Sequence, residues 1–357
     1  MKNNPAVFVV HDTYHIMVQS SEESTMWVKV GDKVYCDECN GVFRSRTPIH
    51  RMIVPAKELD QAGCYTIYER KVIERSTYYP KLEEAVETAF SFRPVKSDHP
   101  RCFHIADTHN LQEEPVAAAK AYGEIDFLIM NGDIPDSSDE WGFFDVIYKI
   151  TSEITKGEIP IVFARGNHDL RGHLAEHLME FIPHENGNTY YTFRMGKIWG
   201  MVLDCGEDKE DNSIEYGNTV CCHAFRERQT GFLKEVIARG EYLAPDIRWR
   251  VVVSHNPFTM PKPEKFYIEK EIYAQWAELL DKHIKPAVMI TGHEHRVRVL
   301  RTGNPEDEIL QPCPIIIGAE PVHKEKNYIG AGIAFGEESM EVTFIDSYGE
   351  FVGREIL

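Results

Sequence analysis

The stretch IVFARGNHD, residues 161–169, joins a short apolar run to a cluster of polar side chains that can bind metals. Its first four residues are apolar and include β-branched types, so they predict a buried strand. The letters RGNHD follow at the point where that strand would end. Because ligands bind at the carboxyl ends of strands in α/β sheets, the stretch predicts an α/β sheet with a functional site at this edge.

Four other apolar runs are followed by residues of the same kind. Residues 102–106 precede Asp107 and His109, residues 127–130 precede Asp133, residues 251–253 precede His255, and residues 287–290 precede His293 and His295. Side chains far apart in the sequence would therefore meet at one edge of a sheet. Their oxygen and nitrogen atoms suit divalent ions such as Mn, Fe or Zn. No Cys belongs to the set, which disfavours a structural thiolate zinc site.

From residue 101 onward, apolar strands alternate with amphipathic segments. Helices are predicted at residues 115–122, 141–155, 170–181, 225–239 and 271–283, and the chain becomes strand-like again after residue 312. This alternation indicates an α/β fold in which helices cover the faces of the sheet.

The N-terminal part, residues 1–95, is predicted to be all-β. Short apolar runs at residues 6–10, 15–19, 26–30, 49–54 and 64–68 are separated by turn signals. Such regular short strands predict a sandwich, and residues 59–65 resemble the corner before a late strand in immunoglobulin-like and fibronectin-type domains. A Pro-containing segment near residues 90–100 predicts a boundary between domains 1–95 and 96–357.

The composition predicts a well-packed acidic protein. Of 357 residues 43% are hydrophobic, and the formal charge of −18 disfavours a surface that neutralises a polyanion. The N-terminus lacks a signal-peptide core and no apolar run is long enough to span a membrane, so we expect a cytoplasmic protein. The eight cysteines are then free thiols, although Cys36 and Cys39 could form a zinc site with His50 and Cys64.

The five motifs resemble, in kind and order, those of the calcineurin-like metallophosphoesterase superfamily. They are Asp-x-His, Gly-Asp-x-x-Asp, Gly-Asn-His-Asp, an isolated His after a strand, and Gly-His-x-His, over about residues 101–300. The resemblance implies a four-layer β-sandwich flanked by helices and a hydrolase for a phosphate monoester or diester. It implies two divalent ions with a bridging hydroxide as nucleophile. Asp107, His109 and His295 would bind the first ion, Asn167, His255 and His293 the second, and Asp133 would bridge them.

The resemblance also implies three catalytic roles. His168 would protonate the leaving oxygen or stabilise the transition state, Asp169 would orient His168, and Arg165 would contact a phosphate oxygen. A β-sandwich before such a domain resembles the arrangement in purple acid phosphatases. Those enzymes have a metal-binding Tyr where this sequence has Asp136, and commonly Gly or a similar residue where it has His109. We therefore predict a colourless or weakly coloured protein.

Two other functions use the same residues. A nuclease shares these motifs, but the charge and the absence of a Lys/Arg cluster disfavour it. A protein-binding scaffold could reuse the fold, as one retromer subunit does, because a fold does not fix a function. We expect a small phosphorylated substrate and neither nucleic acid nor a membrane as partner. His184 and His223 could reach that substrate from loops.

Overall fold

The computed structural model describes residues 1–260, 266, 268–307 and 309–357. The strands are β1 (Ala6–Val10), β2 (Thr13–Gln19), β3 (Ser24–Val30), β4 (Lys33–Cys36), β5 (Glu38–Cys39), β6 (Val42–Phe43), β7 (Ile49–Pro55), β8 (Cys64–Glu74), β9 (Lys81–Leu82), β10 (Val86–Ser91), β11 (Arg101–Ile105), β12 (Phe127–Asn131), β13 (Ile161–Ala164), β14 (Tyr191–Met195), β15 (Ile198–Leu203), β16 (Trp249–Ser254), β17 (Val288–Thr291), β18 (Arg296–Leu300), β19 (Ile315–Val322), β20 (Asn327–Phe335), β21 (Met340–Asp346) and β22 (Phe351–Ile356). The α-helices are α1 (Ala56–Ala62), α2 (Glu113–Tyr122), α3 (Asp145–Thr155), α4 (Cys222–Arg239) and α5 (Lys270–Leu279), and 3₁₀ turns occupy Trp141–Phe144, His168–Leu170, Ala175–Glu180, Glu241–Leu243 and His323–Glu325.

The main sheet has the strand order β14-β15-β16-β17-β19-β20-β11-β12-β13-β1-β2-β7. The pairs β11–β12, β12–β13, β15–β16 and β16–β17 are parallel. Their carboxyl ends therefore lie along the same edges, and those ends carry the motifs singled out in the sequence. The predicted strands at residues 161–164 and 198–203 are confirmed to the residue.

Three apolar cores arrange the molecule in layers. One core contains Val162 of β13 and Val251 of β16, so the two halves of the main sheet face each other across it. A second core joins Leu128 of β12 to Ile147 of α3, and the third places Trp276 of α5 against the other half of the sheet. The mixed α/β fold with sheets between helices is therefore confirmed.

The separate immunoglobulin-like sandwich predicted for residues 1–95 is not confirmed. Strand β1 pairs in parallel with β13 through Phe8 and Ile161, so the N-terminal segment enters the main sheet. Its sequence AVFVV is buried at every position, which suits a central strand covered on both faces rather than a sandwich strand with one solvated face. Five other N-terminal strands form a second sheet, β10-β8-β3-β4 with β9, that packs on the β1-β2-β7 end, and β5 pairs with β6 in a separate two-stranded sheet. Strand β1 lies before residue 95 and its partner β13 lies after it, so the two segments share one sheet. A domain boundary near residue 95 therefore stays a prediction.

The helix predicted over residues 170–181 is replaced by short 3₁₀ turns. Gly172 has φ +116°, a conformation that interrupts a helix, and an added Cβ would collide with the backbone of Ser138. The other four predicted helices are confirmed within a few residues. Among the described helices, none is both long and apolar enough to cross a bilayer.

The cysteines are free thiols, as predicted. Cys36 and Cys39 belong to no metal-capable group among the described residues. His50, their proposed fellow ligand, is buried and directs Nδ1 to Asp37 Oδ2 at 2.7 Å. Its position is explained by this contact with Asp37, so the N-terminal zinc site has no support.

Candidate metal centre

The two halves of the main sheet meet where the motif-bearing strands end. Asn131, the last residue of β12, donates from Nδ2 to the carbonyl oxygens of Ser254 and Ile290 at 3.3 and 3.1 Å. In return, His255 Nδ1 lies 2.6 Å from the carbonyl oxygen of Asn131. These bonds tie β12 to β16 and β17 and bring the loops of both halves to one place.

Asp107, His109 and His295 form one compact group at this junction. Their ligand atoms lie within 4.8 Å of one another. His109 Nε2 is 3.0 Å from His295 Nε2, which in turn is 3.5 Å from Asp107 Oδ1. The structure thus assembles the three residues assigned to the first ion.

Asp133, His255 and His293 form a second group with the same 4.8 Å limit. His255 Nε2 lies 3.2 Å from Asp133 Oδ2, and His293 Nδ1 lies 3.0 Å from Asn167 Oδ1. Asp133 also faces the first group, because its Oδ2 is 4.0 Å from His109 Nε2. Asp133 therefore lies between the two groups.

The donor atoms fit divalent ions. Asp107 Oδ1 is buried and has no hydrogen-bond partner among the described residues, and the same is true of His255 Nε2. His255 Nε2 lies 3.2 Å from Asp133 Oδ2, yet the two atoms are not aligned as donor and acceptor. Buried polar atoms without partners are rare, and atoms that share a metal ion lie close together without bonding each other. The set contains oxygen and nitrogen donors and no sulfur, which suits Mn, Fe or Zn.

Electrostatics favour positive charge at this junction. Burial alone would lower the pKa of His255, but the carboxylates of Asp133 and Asp107 raise it to about 10. Burial opposes ionisation of Asp133, yet His255 and the neighbouring histidines lower the pKa of Asp133 well below its usual range. Two buried carboxylates in contact with imidazoles therefore call for a cation, and bound metal ions would supply that charge.

The backbone is strained at these same residues. Asp107, His109, Asp133, His293 and His295 have φ of +50°, +43°, +52°, +70° and +51°. Residues other than glycine rarely adopt this left-handed region, and each costs of order 1 kcal/mol, so such a cluster indicates a site whose geometry is imposed for function.

Two glycines allow the loops to approach each other. An added Cβ at Gly132 would collide with the backbone of Gly166, and one at Gly166 would collide with the Asp133 carboxylate. The close approach of these loops therefore excludes any side chain at either position.

His168 lies at the wall of a cavity of about 560 Å³ that is also lined by Asp133, Asn167 and His293. Its backbone N–H donates to Asp133 Oδ1 at 2.8 Å. Nδ1 lies 2.9 Å from the carbonyl oxygen of Asp136, and Nε2 lies 2.9 Å from Arg171 Nη1. A carbonyl oxygen accepts only, so Nδ1 carries a hydrogen and Nε2 is the nitrogen that faces Arg171.

The prediction that Asp169 orients the His168 ring is corrected by these contacts. Asp169 is buried, and its Oδ2 accepts hydrogen bonds from the backbone N–H groups of Gly166 at 2.7 Å and Asp133 at 3.2 Å. Asp169 therefore shapes the two loops, while the carbonyl oxygen of Asp136 fixes the ring. The Asp136 carboxylate also lies 2.9 Å from His109 Nδ1, where it can orient that ring as carboxylates orient metal-binding histidines.

The structure does not place Arg165 in the cavity lining. Its Nε pairs with Asp204 Oδ2 at 2.7 Å, and its guanidinium lies over the Phe225 ring. Arg171 lines the cavity instead and makes a two-pronged ion pair with Glu207, with Nε–Oε1 and Nη2–Oε2 both at 2.8 Å. Arg171, one of the cationic residues at the wall, is thus six positions beyond the predicted arginine.

The loop after β15 is a part of the site that the sequence reasoning missed. Residues 204–209, DCGEDK, follow an apolar strand just as the five motifs do, so the signal was present. This loop supplies Glu207 to Arg171 and places Asp208 and Lys209 in the cavity lining. His184 and His223 line no part of this cavity: His184 contacts Arg51, and His223 Nδ1 pairs with Glu269 at 2.9 Å.

Comparison with known proteins adds a family match and two structural likenesses. Residues 100–297 match the calcineurin-like phosphoesterase family. The structure is similar to purple acid phosphatase PPD1 from yellow lupin (Lupinus luteus) seeds, with 12% identity and a TM-score of 0.63 over 100% of this chain and 74% of that one. It is also similar to PhoD, with 9% identity and a TM-score of 0.58 over 99% and 88%. At these identities the likeness shows the fold alone, and no curated protein sequence matches the chain.

Proposed function

Because the chain belongs to the calcineurin-like phosphoesterase family, a metal-dependent class of phosphoester hydrolases, we propose that its metal centre holds two ions and hydrolyses a phosphate monoester or diester. The observation that supports two ions is the position of Asp133 between two groups of histidines. Its carboxylate belongs to one metal-capable group with His109 and His168 and to another with His255 and His293. A single carboxylate with two oxygens can serve two cations at once.

The proposed ligands divide between the two groups. Asp107, His109 and His295 hold the first ion, and Asn167, His255 and His293 hold the second, with Asp133 shared. Two divalent ions, Mn, Fe or Zn, would supply Lewis acidity and an activated water near neutral pH. The chain's own contribution is to fix these side chains from opposite halves of the sheet, so that little reorganisation accompanies the reaction.

His168 is the proposed proton donor to the leaving oxygen. The carbonyl oxygen of Asp136 holds its Nδ1–H, which directs Nε2 toward the cavity. In the structure Nε2 accepts a hydrogen bond from Arg171 Nη1, so the proposal requires Nε2 to take up a proton when that guanidinium turns to the phosphate, and then to deliver the proton to the leaving oxygen. The bond from its backbone N–H to Asp133 keeps the ring at a fixed place relative to the proposed bridging ligand.

The size and the lining of the cavity suit a small substrate. A volume of about 560 Å³ lies within the range of sites for small molecules. Its lining holds three cationic side chains, Arg171, Lys209 and Arg296, and three carboxylates, Asp133, Asp208 and Glu294. This even balance differs from the basic track that a nuclease uses to follow a phosphate backbone, and it supports the small phosphorylated substrate over nucleic acid.

The test is hydrolysis of an aryl phosphate and a bis-aryl phosphate by the full chain loaded with Mn²⁺, Fe²⁺ or Zn²⁺, with chelated protein as control. We expect turnover of at least one substrate that the chelator removes. Salt-dependent DNA binding with DNA cleavage and no aryl phosphate turnover would favour the nuclease. Absence of turnover with every metal would favour the scaffold and would reject the proposed hydrolysis.

A further inference from the structure

A second cavity of about 450 Å³ lies next to the metal-centre cavity. Among the described residues, Arg171 is the one that lines both cavities. The second cavity has an apolar part formed by Leu170, Tyr216 and Val220. A phosphoester bound at the metals has its leaving group on the side of His168, and Arg171 lies directly beside His168. The second cavity is therefore the adjacent space into which the alcohol part of a substrate can extend.

Arg171 is held rigidly at this boundary. Both prongs of its guanidinium pair with Glu207, which is fully buried. Glu207 is in turn fixed from helix α4, because Arg226 donates to its carbonyl oxygen and Cys222 Sγ accepts its backbone N–H at 3.4 Å. Because the ion pair with Glu207 already fixes the guanidinium of Arg171, little conformational freedom is lost when it binds a phosphate oxygen. Its remaining nitrogen, Nη1, points at His168.

The two cavities differ in charge. The second cavity has four carboxylates, Asp139, Glu176, Glu207 and Glu215, against the single guanidinium of Arg171. Glu207 is paired with Arg171, and Glu215 lies 2.8 Å from Lys209. Asp139 accepts a hydrogen bond from Ser137 at 2.9 Å, and Glu176 Oε1 lies 3.9 Å from His177 Nε2. Both carboxylates are exposed, and no Lys or Arg pairs with either among the described residues. The second cavity is therefore negative, whereas the metal-centre cavity is balanced before its ions add positive charge.

We propose that Arg171 binds a phosphate oxygen at the boundary of the two cavities, and that the second cavity takes an alcohol part bearing an ammonium group. The substrate class is then the phosphoester of an amino alcohol, with its phosphate at the metal centre and its cation among the carboxylates. Hydrolysis breaks the bond between phosphorus and the amino-alcohol oxygen, water supplies hydroxide to phosphorus, and the alcohol oxygen receives a proton. This inference rests on the proposed function and names its substrate.

The charge part of the proposal is tested with two small monoesters of nearly equal size, phosphoethanolamine and 2-phosphoglycolate, on metal-loaded enzyme. We expect kcat/KM to favour phosphoethanolamine by about tenfold or more, because a carboxylate tail would meet like charges. The double variant Asp139→Asn, Glu176→Gln, checked for equal metal content and melting temperature, should reduce this ratio several-fold. Equal or reversed preference in the wild type overturns the proposal, and an unchanged ratio in the double variant does so as well.

The Arg171 part is tested by binding of orthophosphate to the metal-loaded protein, measured by calorimetry. We expect Arg171→Lys to weaken binding by about 10- to 100-fold, since a single ammonium cannot keep the two-pronged pair with Glu207 and also place a donor where Nη1 lies. Arg171→Met would leave Glu207 buried without its partner, so the Lys variant, checked for equal metal content and melting temperature, is the decisive one. Arg301→Lys, at an exposed residue beside Glu355, is the matched control.

These measurements distinguish failure of the proposed role of Arg171 from failure of the proposed hydrolysis. Wild-type turnover of an aryl phosphate with unchanged phosphate affinity in Arg171→Lys overturns the role of Arg171 while the proposed hydrolysis stands. Absence of any phosphoester turnover with all metals rejects the proposed function, and the substrate class falls with it. Weakened phosphate binding in Arg171→Lys together with preference for phosphoethanolamine supports the whole proposal.

Discussion

The backbone N–H of His168 donates a hydrogen bond to Asp133 Oδ1 at 2.8 Å, so the proposed proton donor and the proposed bridging carboxylate are joined directly. The other carboxylate oxygen of Asp133 lies 3.2 Å from His255 Nε2. One side chain thus connects the loop after β13 with the end of β16. Changes at Asp133 should therefore affect metal binding and the position of His168 together.

Asp133→Asn should lower both metal content and turnover. The amide keeps the size of the side chain but loses the charge that two cations would share, so we expect at most one ion per chain and an activity loss of at least about 100-fold. Metal analysis after dialysis gives the first number and aryl phosphate hydrolysis the second. Asp246→Asn, at an exposed residue paired with Arg194, is the control. An unchanged metal content would show that Asp133 does not bridge.

His168→Ala should keep both ions and lose turnover. The proposed ligands remain in place, while loss of a positioned proton donor costs about 10²- to 10⁴-fold in rate. The deficit should shrink for aryl esters with acidic leaving groups, which depart without a proton. Metal analysis together with kcat for good and poor leaving groups measures this. Full activity toward the poor leaving group would remove His168 from the mechanism.

Gly166→Ala should disturb the metal centre from the backbone. An added Cβ would collide with the Asp133 carboxylate, and forcing an extra group into a packed site costs about 1–3 kcal/mol of unfolding free energy. We expect a lower melting temperature and weaker metal binding. Gly231→Ala in helix α4 is the matched control, because nothing lies near its added Cβ. Equal stability and metal content in both variants would contradict the observed approach of the two loops.

Stability should fall as the pH is lowered below the ordinary pKa of histidine. Burial, Arg51 and His184 lower the pKa of His15 to about 3. The unfolded chain therefore binds more protons than the folded one between about pH 6.5 and 3, so acid favours unfolding in this window. His15→Gln should reduce the slope of unfolding free energy against pH by up to about 1.4 kcal/mol per pH unit.

Urea unfolding at pH 7, 6 and 5 measures this slope. Substitution of the exposed His99 by Gln is the control for loss of a histidine at the surface. A slope in His15→Gln equal to that of the wild type would show that His15 is protonated in the folded protein as readily as in the unfolded chain.

The metal-loaded protein should lack a strong visible absorption band. The position three residues after Asp133, the proposed bridging ligand, is Asp136, whose Oδ1 lies 2.9 Å from His109 Nδ1. A carboxylate there cannot give the phenolate charge-transfer colour of purple acid phosphatases. The visible spectrum of protein reconstituted with iron under air checks this prediction, and an intense band would contradict it.

The sequence predicted the strands of the main sheet and the kinds of residue at their ends. β13 and β15 begin and end where predicted, because a short apolar run between polar loops has few other ways to be buried. The cytoplasmic location and the boundary near residue 95 remain predictions. The prediction of a helix over residues 170–181 was wrong because Gly172, which lies against the backbone of Ser138, has a conformation that interrupts a helix.

The sequence by itself determined that ligands from five strand ends would gather at one edge, since the direction of a parallel strand fixes where its end lies. Only the tertiary structure decided that β1 completes the main sheet and that Arg171, rather than Arg165, lines the cavity. It also decided that the carbonyl oxygen of Asp136, rather than Asp169, holds His168. The choice between the arginines depends on the loop at residues 204–209, where Asp204 pairs with Arg165 and Glu207 pairs with Arg171. Two arginines near one motif look alike along the chain, and only the carboxylates packed against them determine which one faces the site.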